Sequence, residues 1–358
     1  MTEIEQRRHA VATRLGEYKI DALLVSSSAN IRYLSDYTGS NGLILITAKE
    51  SHFFTDPRYG LEASQKVTCK VHVAKGPLIP AAAKLIKQKK LKKIGLESSW
   101  IRLMDYNKLK EELPLGYSLH AIGPLIEEQR MIKSLAEIDR IRKSVQANSE
   151  AYARTMRRVK IGVREQDLAA ELEFQMRMLG AEKPSFDTIV AAGERSALPH
   201  AHPTARRFQE NELLLIDMGA TLDGYSSDMT RVAYAGVPPK QVRDMYRAVL
   251  EAQLTAVNAV RAGIPAGKVD ATARGVLKKH NLEREFIHST GHGLGLEIHE
   301  PPRIGKKEKT QLKAGMVITI EPGAYIDGFG GIRIEDTVLV TENGCEVLTP
   351  TPKEFVSI

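Results

Sequence analysis

Acidic and histidine residues in the C-terminal half of the chain have the types and settings of a metal site. Glu321 ends the apolar run Met316–Ile320, and Glu335 sits beside Ile332 and Ile334 and just before Val338–Val340. Desolvating a lone carboxylate is costly, so an acid within an apolar strand is paired, protonated or bound to a cation. Two such strands close in sequence suggest that both acids converge on one cation site. Asp217 interrupts the apolar strand read over Glu212–Met218, and Asp223-Gly224 supplies hairpin turn chemistry. The return strand carries Ser227-Asp228-Met229-Thr230-Arg231, so Asp217 and Asp228 can share one face. His288, His292 and His299 follow in a glycine-rich stretch whose backbone can bend sharply or approach a ligand. The candidate set is Asp217, Asp228, His292, Glu321 and Glu335. Its oxygen-rich donors suit Mn²⁺ first, and also Co²⁺, Fe²⁺ or Zn²⁺, better than a thiolate-seeking ion. Four acids exceed what one divalent ion needs, whereas bridging carboxylates can hold two ions ~3.5–4 Å apart. Such a pair lowers the pKa of a shared water from ~15.7 toward ~7, giving a bridging hydroxide, and polarises a carbonyl, which is the machinery of hydrolysis. Singly these residues carry little, since an Asp near a hairpin is usually a turn residue. The joint pattern carries the reading.

These side chains need elements to position them. Thr2 and Glu5 read as a capping box for a first helix ending near Gly16. Strands are expected over Asp21–Ser26, Asn41–Thr47, Ser51–Thr55, Val67–Val73 and Lys93–Glu97. Helices are expected over Asn30–Ser35, after Asp56-Pro57-Arg58-Tyr59, and over 78–93. Pro114–Pro124 is turn-rich and holds a last strand. The alternation predicts a small α/β domain with a mixed sheet, lacking a phosphate loop or ligand cluster. Asp56 and Arg58 read there as a helix cap with a surface salt bridge. A domain boundary is placed near residue 125, giving units 1–124 and 125–358. Ser134 and Glu137 form a second capping box, with Leu135, Ile138, Ile141 and Val145 on one helical face. Arg164–Leu179 is a helix stopped by Gly180, and Phe186–Gly193 a strand. A loop then carries His200 and His202, and helices follow near 239–261 and 266–280.

Composition sets the class. The 358 residues are 42% hydrophobic and 27% charged, which is ordinary for a soluble globular protein. The N-terminus lacks an apolar signal core, and no apolar run approaches the ~20 residues of a membrane span. Cys69 and Cys345 are the only cysteines, so a reducing, cytoplasmic setting is expected. The net charge of +7 is concentrated in residues 1–124, largely in Lys84–Lys93. No aromatic residues interleave with those lysines, so they read as a solvated helix face rather than a nucleic-acid or membrane patch.

Ile216-Asp217-x-Gly219, Ser227-Asp228-x-Thr230-Arg231, Gly291-His292-Gly293-x-Gly295, His299-Glu300, Glu321-Pro322-Gly323 and Gly331–Asp336 resemble the ordered motifs of the pita-bread metallopeptidases. Within that family the chain resembles the proline-specific branch, Xaa-Pro dipeptidase (prolidase) and aminopeptidase P. The resemblance implies a creatinase-type α/β N-terminal domain and an α+β pita-bread catalytic domain. It implies a metal-dependent exopeptidase acting on small peptides with proline in second position, and a homodimer. By position, Asp217 would chelate one metal, and Asp228 and Glu335 would bridge. His292 and Glu321 would bind the second metal, with Glu321 also handling protons. His200 would stand near the leaving group, His288 and His299 would line the proline pocket, and Tyr325 and Arg333 would support the acids. His202 reads as a loop residue and His280 as a helix-end residue. Methionine aminopeptidase shares the metal site but commonly lacks an N-terminal domain of this kind. Creatinase-type hydrolases and non-enzymatic pita-bread binding proteins have typically lost metal ligands that this chain retains.

Overall fold

Apolar runs in the first third of the chain become the strands of one mixed sheet. The computed structural model describes residues 1–358, which divide into Met1–Arg130 and Met131–Ile358. In the first unit the strands lie in the order Lys70–Val73, Ser51–Thr55, Leu43–Thr47, Ala22–Val25, Lys93–Glu97, Ser118–Ile122. Ala22–Val25 runs antiparallel to Leu43–Thr47 and parallel to Lys93–Glu97. Ala22–Val25 and Leu43–Thr47 are buried along their whole length, as strands covered on both faces must be. The Thr2–Glu5 capping box starts the helix Glu3–Arg14, with both reciprocal bonds made.

Several elements differ from the sequence expectation. The helix expected over 78–93 runs only over Leu78–Gln88, burying Leu78, Ile79, Ala82, Ala83 and Ile86. Lys90 takes a left-handed φ of 57°, and the Lys92 and Lys93 amides donate to the Asp21 carboxylate, so the chain turns there into the next strand. The lysines find local partners: Lys89 pairs with Glu50, and Lys92 lies 3.9 Å from the centroid of the Tyr117 ring. The helix expected after Asp56 begins only at Gly60, because the Asp56 carboxylate folds back on the Arg58 amide and guanidinium. The helix Leu103–Glu112 was not foreseen. The short helix Leu125–Arg130 stays with the first unit: Leu125 and Ile126 are buried, and Arg130 donates to Asn30 Oδ1 at 2.7 Å.

The second unit is α+β. A four-stranded sheet runs Val356–Ser357, Met229–Tyr234, Leu213–Met218, Ile189–Ala192. A five-stranded sheet runs Glu300–Ile304, Gly291–Gly293, Val317–Ile320, Asp336–Val340, Cys345–Val347. The hairpin Gly323–Ile326 with Gly330–Arg333 forms its own pair. Four long helices, Leu135–Met156, Glu165–Met178, Lys240–Ala259 and Ala266–Lys279, bury their apolar stripes against these sheets. Leu135 is not on that stripe but 87% exposed, since the first turn after the Ser134–Glu137 box projects past the core. The strand expected over Phe186–Gly193 is confined to Ile189–Ala192, and Gly193, at φ 59°, turns the chain into a short 3₁₀ helix. Asp223 and Gly224, both at positive φ, form the turn joining Ala220–Leu222 to Tyr225–Ser226. No helix is long and apolar enough to cross a membrane.

Candidate metal centre

Strand register brings the first two acids together. Met229–Tyr234 runs antiparallel to Leu213–Met218 with Thr230 opposite Asp217. Side chains alternate faces along a strand, so Asp228, two residues before Thr230, shares the face of Asp217. Gly291 allows the third donor in: a Cβ there would lie 1.9 Å from the Thr319 carbonyl oxygen. The close approach lets the His292 amide donate to Thr319 Oγ1 at 3.1 Å, and the same hydroxyl donates to Glu321 Oε1 at 3.1 Å. His292 Nδ1 lies 3.0 Å from the Gly293 carbonyl oxygen, which can only accept, so Nε2 is left facing the acids. Nε2 is 3.5 Å from Asp228 Oδ2 and 3.4 Å from Glu321 Oε1. Donor atoms of Asp228, His292 and Glu335 all lie within 4.8 Å of one another.

A single cation reaches the cluster from the protein itself. Arg333 NH2 donates to Asp217 Oδ2 at 2.6 Å, its NH1 to Tyr325 Oη at 2.6 Å, and its Nε to Thr230 Oγ1 at 3.0 Å. Thr230 in turn donates to Glu335 Oε2 at 2.7 Å. The remaining oxygens, Asp217 Oδ1 and Glu335 Oε1, are buried and have no hydrogen-bond partner. Burial, followed by the charges of neighbouring acids, pushes the Asp228 and Glu335 carboxyls well above the usual carboxylate range. Burial also raises Glu321. Buried acids with unpaired oxygens and too little positive charge are what a divalent cation would satisfy, so the donor set fits metal.

A cavity of about 810 Å³ opens over these acids. Its walls include every residue given a site role from the sequence except Tyr325, which is buried and hydrogen-bonded to His288 and Arg333. His288 Nε2 accepts from Tyr325 Oη at 2.8 Å while its Nδ1 donates to the Ser289 carbonyl. Burial foremost, then the Arg333 charge, lowers His288 to about 4, so its ring is neutral. The His299 ring meets that of His292 edge-on at 4.4 Å, and burial lowers its pKa too. His200 stands at the cavity wall, and so does His202, beyond its reading as a plain loop residue. His280 lies elsewhere, bonded to Glu251 at 2.9 Å.

Some contributors escaped the sequence reading. Thr230 stands in the Ser227–Arg231 motif, but its role, donating to Glu335 and accepting from Arg333, was not assigned there. Glu165, 1% exposed, accepts from the amides of Ala192 and Thr204 and so pins the loop that bears His200. Arg303 lines the cavity. Behind the site, Arg231 bonds both the Glu335 carbonyl and Asp336, which Lys353 also meets, so this second cluster fixes the Glu335 backbone.

The site's residues fall inside a recognised family. Residues 139–342 match Metallopeptidase family M24, and residues 7–132 match the Creatinase/Prolidase N-terminal domain. The chain belongs to metallopeptidase family M24. It is therefore an enzyme of a class that works with divalent metal ions. It is 38% identical to the Xaa-Pro dipeptidase of Pyrococcus furiosus over 354 residues, 99% of this chain and 100% of that one. The structure of an Xaa-Pro dipeptidase from Bacillus anthracis is similar with a TM-score of 0.97 and 36% identity, covering 99% and 100% of the two chains. An X-Pro aminopeptidase structure from Thermotoga maritima gives 0.89 and 35%, covering 95% and 98%.

Proposed function

We propose that this protein is a dinuclear metal-dependent exopeptidase that hydrolyses the bond between an N-terminal residue and a following proline. The observation that carries this reading is the pair of buried, unpartnered oxygens, Asp217 Oδ1 and Glu335 Oε1, beneath a cavity walled by histidines. Asp217 and Asp228 would hold one ion, His292 and Glu321 the other, with Asp228 and Glu335 shared. Bound divalent ions would supply Lewis acidity toward the scissile carbonyl and acidify the attacking water. Oxygen-rich donors favour Mn²⁺ among the candidates.

The chain's own groups do the rest. Among the acids with a resolved contact to His292 or Arg333, the Glu321 side chain is the most accessible, at 16% against 7% for Asp228 and 12% for Asp217. Glu321 is thus suited to take a proton from water and return it to the proline nitrogen. Neutral His288, held by Tyr325, and His299 flank the carbonyl, and His200 stands toward the departing proline. Arg333 holds the Asp217 carboxylate in place, because its three guanidinium nitrogens donate to Asp217, Tyr325 and Thr230. A bond to proline is a tertiary amide without an N–H, so substrate is gripped by ring shape and by its terminal charges. Arg303 is the cavity cation left for the carboxylate end.

The names of the relatives support the substrate class, and free Cys69 and Cys345 suit a reducing cytoplasm. The family resemblance supports a homodimer, which sedimentation would test. The decisive experiment is hydrolysis of Ala-Pro and Ala-Ala by metal-stripped protein and after Mn²⁺ addition, with bound metal counted. Cleavage of Ala-Pro alone, restored by about two ions per chain, is expected. Equal cleavage of Ala-Ala would remove the proline requirement, and inert Ala-Pro with metal bound would remove the activity.

A further inference from the structure

The active-site cavity does not end at Arg303. A side cleft of about 490 Å³ continues from it, sharing His288, Ser289 and Arg303 with the main cavity. Its volume is within the ~300–1,000 Å³ of small-ligand sites. The remaining walls are Arg274, Glu283, Arg284, Phe286, Ile287 and Lys306.

The charges in this cleft are not equivalent. Arg274 is spent within the protein: Nε donates to Asp270 Oδ2 at 2.8 Å, NH1 to the Phe286 carbonyl at 2.9 Å, and NH2 to the His288 carbonyl. It is therefore bonded to Asp270 and to the Phe286 and His288 carbonyls and is not the cleft's free cation. Arg284, Arg303 and Lys306 line the same space and make no side-chain hydrogen bond or ion pair within the protein. Glu283 is the one acid on the wall, so the unspent balance is positive. Ile287, 68% exposed, adds an apolar surface between the cations.

We propose that this cleft is a subsite for the residue that follows proline in a longer substrate, and that it selects an acidic residue there through Arg284 and Lys306. The inference rests on the Xaa-Pro reading above and names a finer substrate class for it: Xaa-Pro-Yaa peptides with Yaa Glu or Asp. A dipeptide carboxylate ends at Arg303, at the junction of the two spaces. A third residue passes Ser289 into the cleft, where its backbone carboxylate and acidic side chain meet Arg284 and Lys306. Both cations are exposed, so the attraction is screened by salt.

The experiment uses the Mn²⁺-loaded full chain and compares kcat/KM for Ala-Pro-Glu, Ala-Pro-Gln and Ala-Pro-Lys, each divided by the same preparation's value for Ala-Pro. The expected order is Glu, Gln, Lys, with about tenfold between first and last at low salt, equivalent to about 1.4 kcal/mol. The spread narrows in high salt and closes in the Arg284→Gln/Lys306→Gln double variant. Equal rates on the three tripeptides, a spread that survives in the double variant, or inert tripeptides beside rapid Ala-Pro cleavage would overturn the subsite and leave the Xaa-Pro reading standing. Inert Ala-Pro with metal bound would refute the parent reading and the subsite with it.

Discussion

Glu97 in the first unit and Glu335 in the second are both buried glutamates, 6% and 1% exposed, and burial raises the pKa of both. Their oxygens are treated differently. Glu97 Oε2 accepts from the Ser26 amide at 2.5 Å and the Ser27 amide at 2.8 Å, and its Oε1 accepts from Asn30 Nδ2 at 2.6 Å. It also stands at the start of the helix Ser28–Ser35, where the helix dipole favours negative charge. Glu335 has one hydroxyl donor on Oε2, nothing on Oε1, and the Asp228, Glu321 and Asp217 charges around it. Burial and a raised pKa therefore do not separate a structural carboxylate from a functional one. The difference is in what is left unsatisfied: Glu97 is complete within the chain, and Glu335 is completed only by something the chain does not supply.

The largest expected effect tests that difference directly. Glu335→Gln should cut metal-restored Ala-Pro hydrolysis by more than the ~10–100-fold that loss of an outer hydrogen-bond partner costs. The same variant should raise the melting temperature of the metal-free protein, because one of several crowded buried acids becomes neutral. Should the metal-free protein melt lower instead, Glu335 would be as internally satisfied as Glu97 and the contrast would fail. Next in size is Thr230→Val, which removes the donor to Glu335 and the acceptor for Arg333 while keeping the volume. Metal affinity, measured by chelator competition, should fall ~10–100-fold and return in Thr230→Ser. An unchanged affinity would show that Glu335 needs no such orientation.

Glu97→Gln should have the opposite sign to Glu335→Gln. An amide has one accepting oxygen where the carboxylate has two, so stability should drop by about 1–3 kcal/mol in chemical denaturation, with bound metal unchanged. The smallest effect at neutral pH concerns His288, held near 4 by burial and Arg333 against ~6.5 in an unfolded chain. Between those values the unfolded chain carries a proton that the folded one does not, so stability rises with pH across the window and is lost on acidification. His288→Asn should flatten the acid limb of stability below about pH 6.5 and leave it unaltered above pH 7. An identical acid limb in both proteins would remove His288 as its source.

Much of this was legible before any coordinates. The helix caps at Thr2 and Ser134 are local chemistry and were read correctly, as was the Asp223-Gly224 turn. The mixed sheet of the first unit followed from its apolar runs. Errors collected where local pattern competes with tertiary contact. Lys84–Lys93 continues a helical pattern, but Asp21 captures the amides of Lys92 and Lys93 and ends it. Leu135 fits an apolar stripe that the core does not reach. Glu165 sits in the first turn of its helix, and nothing in its neighbours in sequence announces that it pins the loop of His200.

The sequence by itself nominated the candidate donor set. Acid and imidazole types, their order, their apolar flanks and the alternation along each strand are short-range properties, so Asp217, Asp228, His292, Glu321 and Glu335 could be chosen without coordinates. Only the tertiary structure decided which oxygen of each acid stays open. Arg333 takes Asp217 Oδ2 from 116 residues away, and Thr230 takes Glu335 Oε2 from 105 residues away. Those partners are fixed by how the strands of the second unit pack, and no local pattern encodes a contact closed over that length of chain.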